Sequence, residues 1–134
     1  MAGVNLSPEV EASGLEWVVE AHGCNPGALT DLRKLDGFFR TVIRELTLHP
    51  LQKTVWHQFP RTGGITGLCL LAESHLACHT FPEHGSLCLN LFCCVPRPEW
   101  DFEAALRQLF SSQTVTIRRL VRSYEMPRER AAGD

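Results

Sequence analysis

The sequence predicts an α+β fold, a two-layer α/β sandwich in which a largely antiparallel sheet carries two helices on one face. Three observations lead there. Four strand-like runs follow one another between residues 53 and 93 with only short turns between them, and parallel neighbours would need long crossovers. Two further segments repeat apolar residues at helical spacing, so each has one face to bury. The chain has 134 residues, the size of one ordinary domain, since domains commonly run from about 100 to 200 residues.

The elements follow in order. The first dozen residues, with Pro8 and no periodicity, read as a loose arm. Residues 15–21 (LEWVVEA) read as a strand, closed by the turn-forming HGCNPG. Thr30 or Asp31 caps a helix in which Leu32, Leu35, Phe38, Phe39, Val42, Ile43 and Leu46 share one face. Gly37 is an odd guest there, and the helix stops before Pro50. Residues 53–59 (KTVWHQF) are rich in strand formers, with Val55, His57 and Phe59 on one side and Thr54, Trp56 and Gln58 on the other. The turn PRTGG leads to an apolar strand over 65–72; further strands cover 75–81 and, after the turn PEHGS, 87–93. Beyond the Pro96 and Pro98 linker, Trp100, Phe102, Ala105, Leu106, Leu109 and Phe110 mark a second helix. Residues 114–121 (TVTIRRLV) form the last strand, and the tail from Pro127 is polar and mobile.

Composition excludes several classes of protein. With 44% hydrophobic and 21% charged residues the chain packs a core rather than staying disordered. It is too short for a dinucleotide domain joined to a substrate domain, or for a (β/α)₈ barrel. Thirteen basic against fifteen acidic residues give a net charge of −2, without the basic excess that nucleic acid would attract. No apolar run approaches the ~18 residues of a membrane span. The N-terminal MAGVNLSPEVEASG lacks the pattern of a signal peptide. A cytoplasmic location is expected, and with it six free thiols at Cys24, Cys69, Cys78, Cys88, Cys93 and Cys94. Several of them alternate with apolar residues and read as small buried hydrophobes.

Chemistry concentrates in LAESHLACHTFPEHGSLCLNLFCC, residues 71–94, which holds His75, His79, His84, Glu73, Ser74, Glu83 and four cysteines. A metal site fits poorly. No paired Cys/His ligand sets have zinc spacing, and adjacent Cys93 and Cys94 would face opposite sides of a strand. Conventional nucleophilic catalysis by Ser74 lacks the G-x-S-x-G elbow.

A third reading rests on resemblance. LAESHLACHTFPEHG, with GITG before it and LFCC after it, resembles the processing and active-site segment of the small prokaryotic S-adenosylmethionine decarboxylase proenzymes. HGCNP, WHQF and the second helix extend the likeness over residues 15–109. It implies a pyruvoyl-dependent enzyme of spermidine biosynthesis that makes its own electron sink, a task otherwise given to a bound cofactor. Ser74 would attack the Glu73 carbonyl, and the chain would divide into 1–73 and 74–134, the second beginning with a pyruvoyl group made from Ser74. That group would hold the substrate as a Schiff base. By the same resemblance His79 moves the processing proton, Thr66 supports processing, and Cys94 is the acid that reprotonates the substrate. Phe59 and Phe81 match the aromatics that stack on adenine, and Glu83 matches the acid on the ribose. Core packing is the competing reading of Phe59. The family's active sites span a dimer interface, so a homodimer is expected, with no nucleic acid or membrane partner and no metal.

The chain also departs from the family. Thr66 stands where Ser is usual, Phe81 where Trp is, and Asn90 where Asp is. An extra residue lies between Phe59 and Gly67, and Leu15, Glu16 and Trp17 replace basic and histidine residues. These changes leave open arginine or ornithine as substrate, and a non-catalytic homologue as a different kind of protein. Five residues separate Ser74 from His79, so folding must bring them together.

Overall fold

The computed structural model describes residues 13–126; the expected arm and polar tail lie outside the described residues. Among these described residues six strands form one antiparallel sheet in the order β2-β3-β4-β5-β1-β6. They are β1 Ser13–His22, β2 Val55–Gln58, β3 Ile65–Leu71, β4 Ser74–Phe81, β5 Ser86–Cys93 and β6 Thr114–Ser123. Three helices accompany them: α1 Pro26–Leu29, α2 Leu32–Glu45 and α3 Phe102–Phe110. The α+β sandwich expected from the sequence is present. Among the described residues no helix is long and apolar enough to cross a membrane.

Alternation along the strands sorts the side chains. Leu15, Trp17, Val19 and Ala21 of β1 and Leu87, Leu89, Leu91 and Cys93 of β5 are buried on the helix side. Leu35, Phe38, Phe39 and Val42 of α2 and Phe102, Leu106 and Phe110 of α3 meet them there. Aromatic rings join the two helices to each other and to the sheet. Phe38 meets Phe110 edge-on at 5.8 Å between centroids, and Trp17 lies 6.4 Å from Phe102. The caps are those that the sequence chemistry favours: Asp31 accepts from the Lys34 N–H at 3.2 Å and Asp101 from the Ala104 N–H at 2.9 Å.

The sequence missed α1. HGCNPG reads as a turn, yet Asn25 caps this single helical turn, with Pro26 at its first position. The buried Thr80 hydroxyl accepts from the Ile65 N–H and donates to the Leu29 carbonyl, both at 2.8 Å, tying α1 to the sheet. Strand β2 is shorter than expected because among the described residues it is an edge strand, paired only with β3 from Val55↔Leu68 to Gln58↔Ile65. Its Trp56 crosses directly over Gly67, where a Cβ would sit 2.2 Å from the ring, and packs in a tilted arrangement 4.8 Å from Phe39. The second glycine of GITG is a close-approach residue.

Among the described residues the far face of the sheet carries no helix. Val55, Leu68, Leu70 and Leu120 are exposed on it. Across β1 and β6 the same face is polar, with Arg118 donating to Glu20 and Arg122 to Glu16, each at 2.5 Å.

Candidate active site

Two groups of candidate residues lie at opposite ends of β4. At its start, Leu71 pairs with Ser74, so the β3–β4 hairpin turns on Ala72 and Glu73 alone. Ser74 has φ 152°, a backbone region that residues with a Cβ seldom enter and that costs on the order of 1–3 kcal/mol. The Glu73 carbonyl accepts a hydrogen bond from the Cys94 N–H at 2.7 Å. The Cys94 carbonyl in turn accepts from the Tyr124 hydroxyl at 3.1 Å. Strain sits on the serine, and the carbonyl before it is polarised by a fixed donor.

Glu73 is buried, 6% exposed. Its Oε1 accepts from the His49 N–H at 2.9 Å, its Oε2 from the Arg97 guanidinium at 3.1 Å, and the His49 ring Nδ1 also bonds Oε2. Burial pushes this carboxyl up, but the His49 ring and backbone bonds outweigh it and hold the group below the usual carboxylate value. Beside it the Cys93 thiol is fully buried, and burial is the main cause that pushes it up to about 11. Cys93 is therefore a core thiol, while Cys94 is half-buried at the strand end. The six cysteines are all free, and Cys24, Cys69 and Cys78 are buried like Cys93.

At the other end, Thr66 faces His79 across β3 and β4, with 3.1 Å between Thr66 Oγ1 and His79 Nδ1. A cleft of about 280 Å³ collects Phe59, Thr62, Thr66, His79, Thr80, Phe81 and Glu83. Neither phenylalanine fills the core: Phe59 is 47% and Phe81 38% exposed. The fold thus gathers the expected substrate residues around Thr66 and His79. It does not gather them around Ser74. Five residues along one strand is about 16 Å, well beyond hydrogen-bond reach, so one chain does not bring His79 to Ser74.

The largest cleft described, about 820 Å³, lies between α2 and residues 47–56 and includes none of these residues. Side-chain chemistry, not cleft size, locates the site.

Between the two ends, on the open face, runs a polar chain. His75 Nε2 bonds Asn90 Oδ1 at 2.6 Å, and Asn90 Nδ2 donates to Glu16 Oε2 at 2.5 Å. Asn90 first, then Arg122, outweighs burial and holds the Glu16 carboxyl below its ordinary value. Two departures from the family pattern are one arrangement. A carboxylate at 90 would face Glu16 as a like charge, whereas an amide both donates to Glu16 and accepts from His75.

Sequence reasoning missed His49, Arg97 and Tyr124. His49 precedes Glu73 by 24 residues, and Arg97 lies between two prolines in a stretch that reads as a linker. No local pattern marks either residue.

An antiparallel-sheet sandwich with a strained Glu–Ser hairpin at one end of β4 and a Thr–His cleft at the other defines a narrow class of small α+β domain. Residues 15–123 match the S-adenosylmethionine decarboxylase family model, and the chain belongs to that family. It is 29% identical over 127 residues to the S-adenosylmethionine decarboxylase proenzyme of Syntrophomonas wolfei, covering 93% of this chain and 99% of that one. It is 30% identical to the proenzyme of the same name from Pelotomaculum thermopropionicum, over 81% of this chain and 86% of that protein. The crystal structure of the adenosylmethionine decarboxylase from Aquifex aeolicus has the same fold, with a TM-score of 0.71 over 90% of this chain and 99% of that chain at 19% identity.

Proposed function

We propose that this chain is a proenzyme that cleaves itself between Glu73 and Ser74 and then decarboxylates S-adenosylmethionine, supplying the aminopropyl donor for spermidine biosynthesis. The observation that carries the reading is the scissile peptide itself: a strained Ser74 follows a carbonyl held at 2.7 Å by the Cys94 N–H. Ser74 Oγ adds to the Glu73 carbonyl carbon, and the Cys94 N–H takes the developing oxyanion. The C–N bond breaks with its proton on the freed amine, leaving an ester isomeric with the starting amide. Loss of the Ser74 Cα proton breaks the Cβ–Oγ bond and releases Glu73 as a carboxylate at the end of 1–73. Water then replaces nitrogen on residue 74, and ammonia leaves. No outside oxidant or reductant is needed.

The residues present fit the group this makes, because it is residue 74 itself and the half-buried Cys94 adjoins the same hairpin. The pyruvoyl carbonyl supplies a partner for the substrate amine and a sink for the electron pair that CO₂ leaves behind. Cys94 returns a proton to the substrate carbon, a role closed to the core thiol of Cys93. Phe59 and Phe81 offer exposed ring faces to a purine or a sulfonium, and Glu83 offers acceptors to ribose hydroxyls. These groups favour S-adenosylmethionine over arginine or ornithine, neither of which has a base to stack.

The site closes between two copies. A two-fold axis between facing sheets, running across the strands, sets the His79 end of one copy over the Ser74 end of the other. The exposed Val55, Leu68 and Leu70 supply apolar surface for that contact. Thr66 and His79 of one chain then serve proton transfer at Ser74 of its partner, an imidazole being suited to this near neutral pH.

Mass spectrometry of the purified chain tests cleavage. Two fragments meeting at residues 73 and 74 are expected, the second with a blocked N-terminus, while Ser74→Ala stays in one piece. A wild-type chain that remains whole overturns the proposal. In the cleaved protein, CO₂ release from S-adenosylmethionine and not from arginine or ornithine is expected.

A further inference from the structure

The Glu73 side chain takes no part in the bonds that break or form, yet it is the most heavily bonded carboxylate at the hairpin. Three donors converge on it from two distant segments, His49 through its backbone and ring and Arg97 through its guanidinium. Arg97 is itself largely buried, its side chain 21% exposed. Among the described residues its Nε is buried without a hydrogen-bond partner. A guanidinium held out of water with a donor unsatisfied is costly unless its charge is used.

The backbone closes the same grip. The Ala72 N–H donates to the His49 carbonyl at 2.8 Å, and the Leu51 N–H to the Leu70 carbonyl at 3.0 Å. Pro50 bridges Leu71. Residues 49–51 therefore lie along the end of β3 and clasp the turn. Arg97 approaches from the opposite side, three residues after the Cys94 N–H that holds the Glu73 carbonyl.

A two-residue turn anchored only at its strands would relax a strained φ by rotating the peptide before Ser74. With the Glu73 carboxylate clamped and its carbonyl held, that rotation would break charge-assisted hydrogen bonds on both sides. We infer that His49 and Arg97 are positioning residues for self-cleavage, gripping the Glu73 carboxylate so that the Glu73–Ser74 peptide stays in the conformation Ser74 Oγ attacks. The inference rests on the self-cleavage reading. Neither residue touches the reacting atoms; both act through Glu73.

The test follows cleavage of freshly folded chains by mass spectrometry, with and without hydroxylamine. Hydroxylamine cuts the ester, leaving a hydroxamate on Glu73, but spares the amide. Arg97→Gln and His49→Ala are expected to cleave about tenfold to a hundredfold more slowly than wild type, as when a reacting group is held about 1 Å out of place. The uncut Arg97→Gln chain should yield no hydroxamate, because the block precedes the ester. Arg97→Lys, which keeps a cationic donor, should recover part of the rate. Near-UV circular dichroism in a Ser74→Ala background identifies variants with native packing; if Arg97→Gln lacks it, Arg97→Lys and His49→Ala decide the matter. Wild-type cleavage rates in the natively packed variants would overturn the inference and leave self-cleavage standing. So would accumulation of a hydroxylamine-labile ester, which places the block after the acyl shift. A wild-type chain that never cleaves would overturn both.

Discussion

In the proposed self-cleavage Glu73 joins two kinds of chemistry in one residue: its carbonyl would be the electrophile, and its carboxylate is an anchor. Because the carboxyl is held below the ordinary carboxylate value of 4.5, the folded chain binds that proton less tightly than the unfolded chain does. The stability this contributes is fully present above about pH 4.5 and is lost as pH falls through the lower folded value. Glu16 adds to the effect in the same direction. Thermal unfolding of the single-chain Ser74→Ala protein should therefore show Tm falling steeply below about pH 4.5. Glu73→Gln in that background should start from a lower Tm at neutral pH and lose less on acidification. Equal acid sensitivity of the two chains would remove Glu73 from the explanation. The sequence marked Glu73 by its place before Ser74; its clamp was illegible, because His49 and Arg97 reach it from 24 residues away on either side.

At the scale of the element, periodicity carried most of the information. The helical repeat of α2 named the face that is buried, and the period-two alternation of β4 and β5 sorted core from open face. What periodicity does not register is close approach. Gly37 and Gly67 look alike in sequence and are opposites in space. A Cβ on Gly37 meets nothing within 4 Å, so Gly37→Ala should stabilise α2 by about 0.5–1 kcal/mol. A Cβ on Gly67 would strike the Trp56 ring at 2.2 Å, so Gly67→Ala should cost about 1–3 kcal/mol by displacing it. Chemical denaturation of the two variants in the Ser74→Ala background checks both signs. The short α1 escaped sequence reading for a related reason: one turn is too brief to show a period, and its hold on the sheet passes through the Thr80 hydroxyl.

For the whole molecule, the separation of the two ends of β4 sets the main prediction. If His79 of one copy serves Ser74 of another, His79→Ala chains should cleave when co-expressed with Ser74→Ala chains, whose His79 is intact. Each mixed dimer would contain one complete site, so the expected result is cleaved His79→Ala protein in the mixture and little or none when that variant is made alone. Mass spectrometry of differently tagged chains distinguishes them. Failure to complement, with both variants folded and dimeric, would place the proton transfer within one chain.

The sequence by itself determined the α+β class, the order of the strands and the two longer helices, the buried faces and the family, because these depend on local periodicity and on residue types in a fixed linear order. It also named Phe59, Thr66, His79, Phe81 and Glu83, together with Glu73, Ser74 and Cys94, as candidates for one site, and expected folding to bring Ser74 and His79 together. Only the tertiary structure divided them into two clusters at the two ends of β4, with Ser74 and His79 about 16 Å apart along that strand. Only it revealed the strain on Ser74, the hold of the Cys94 N–H on the Glu73 carbonyl, and the burial of Glu73 against His49 and Arg97. The reason is physical. A backbone angle and a convergence of donors from residues 49, 73, 94 and 97 arise from how the sheet edge and its loops pack, and no short stretch of chain carries that information.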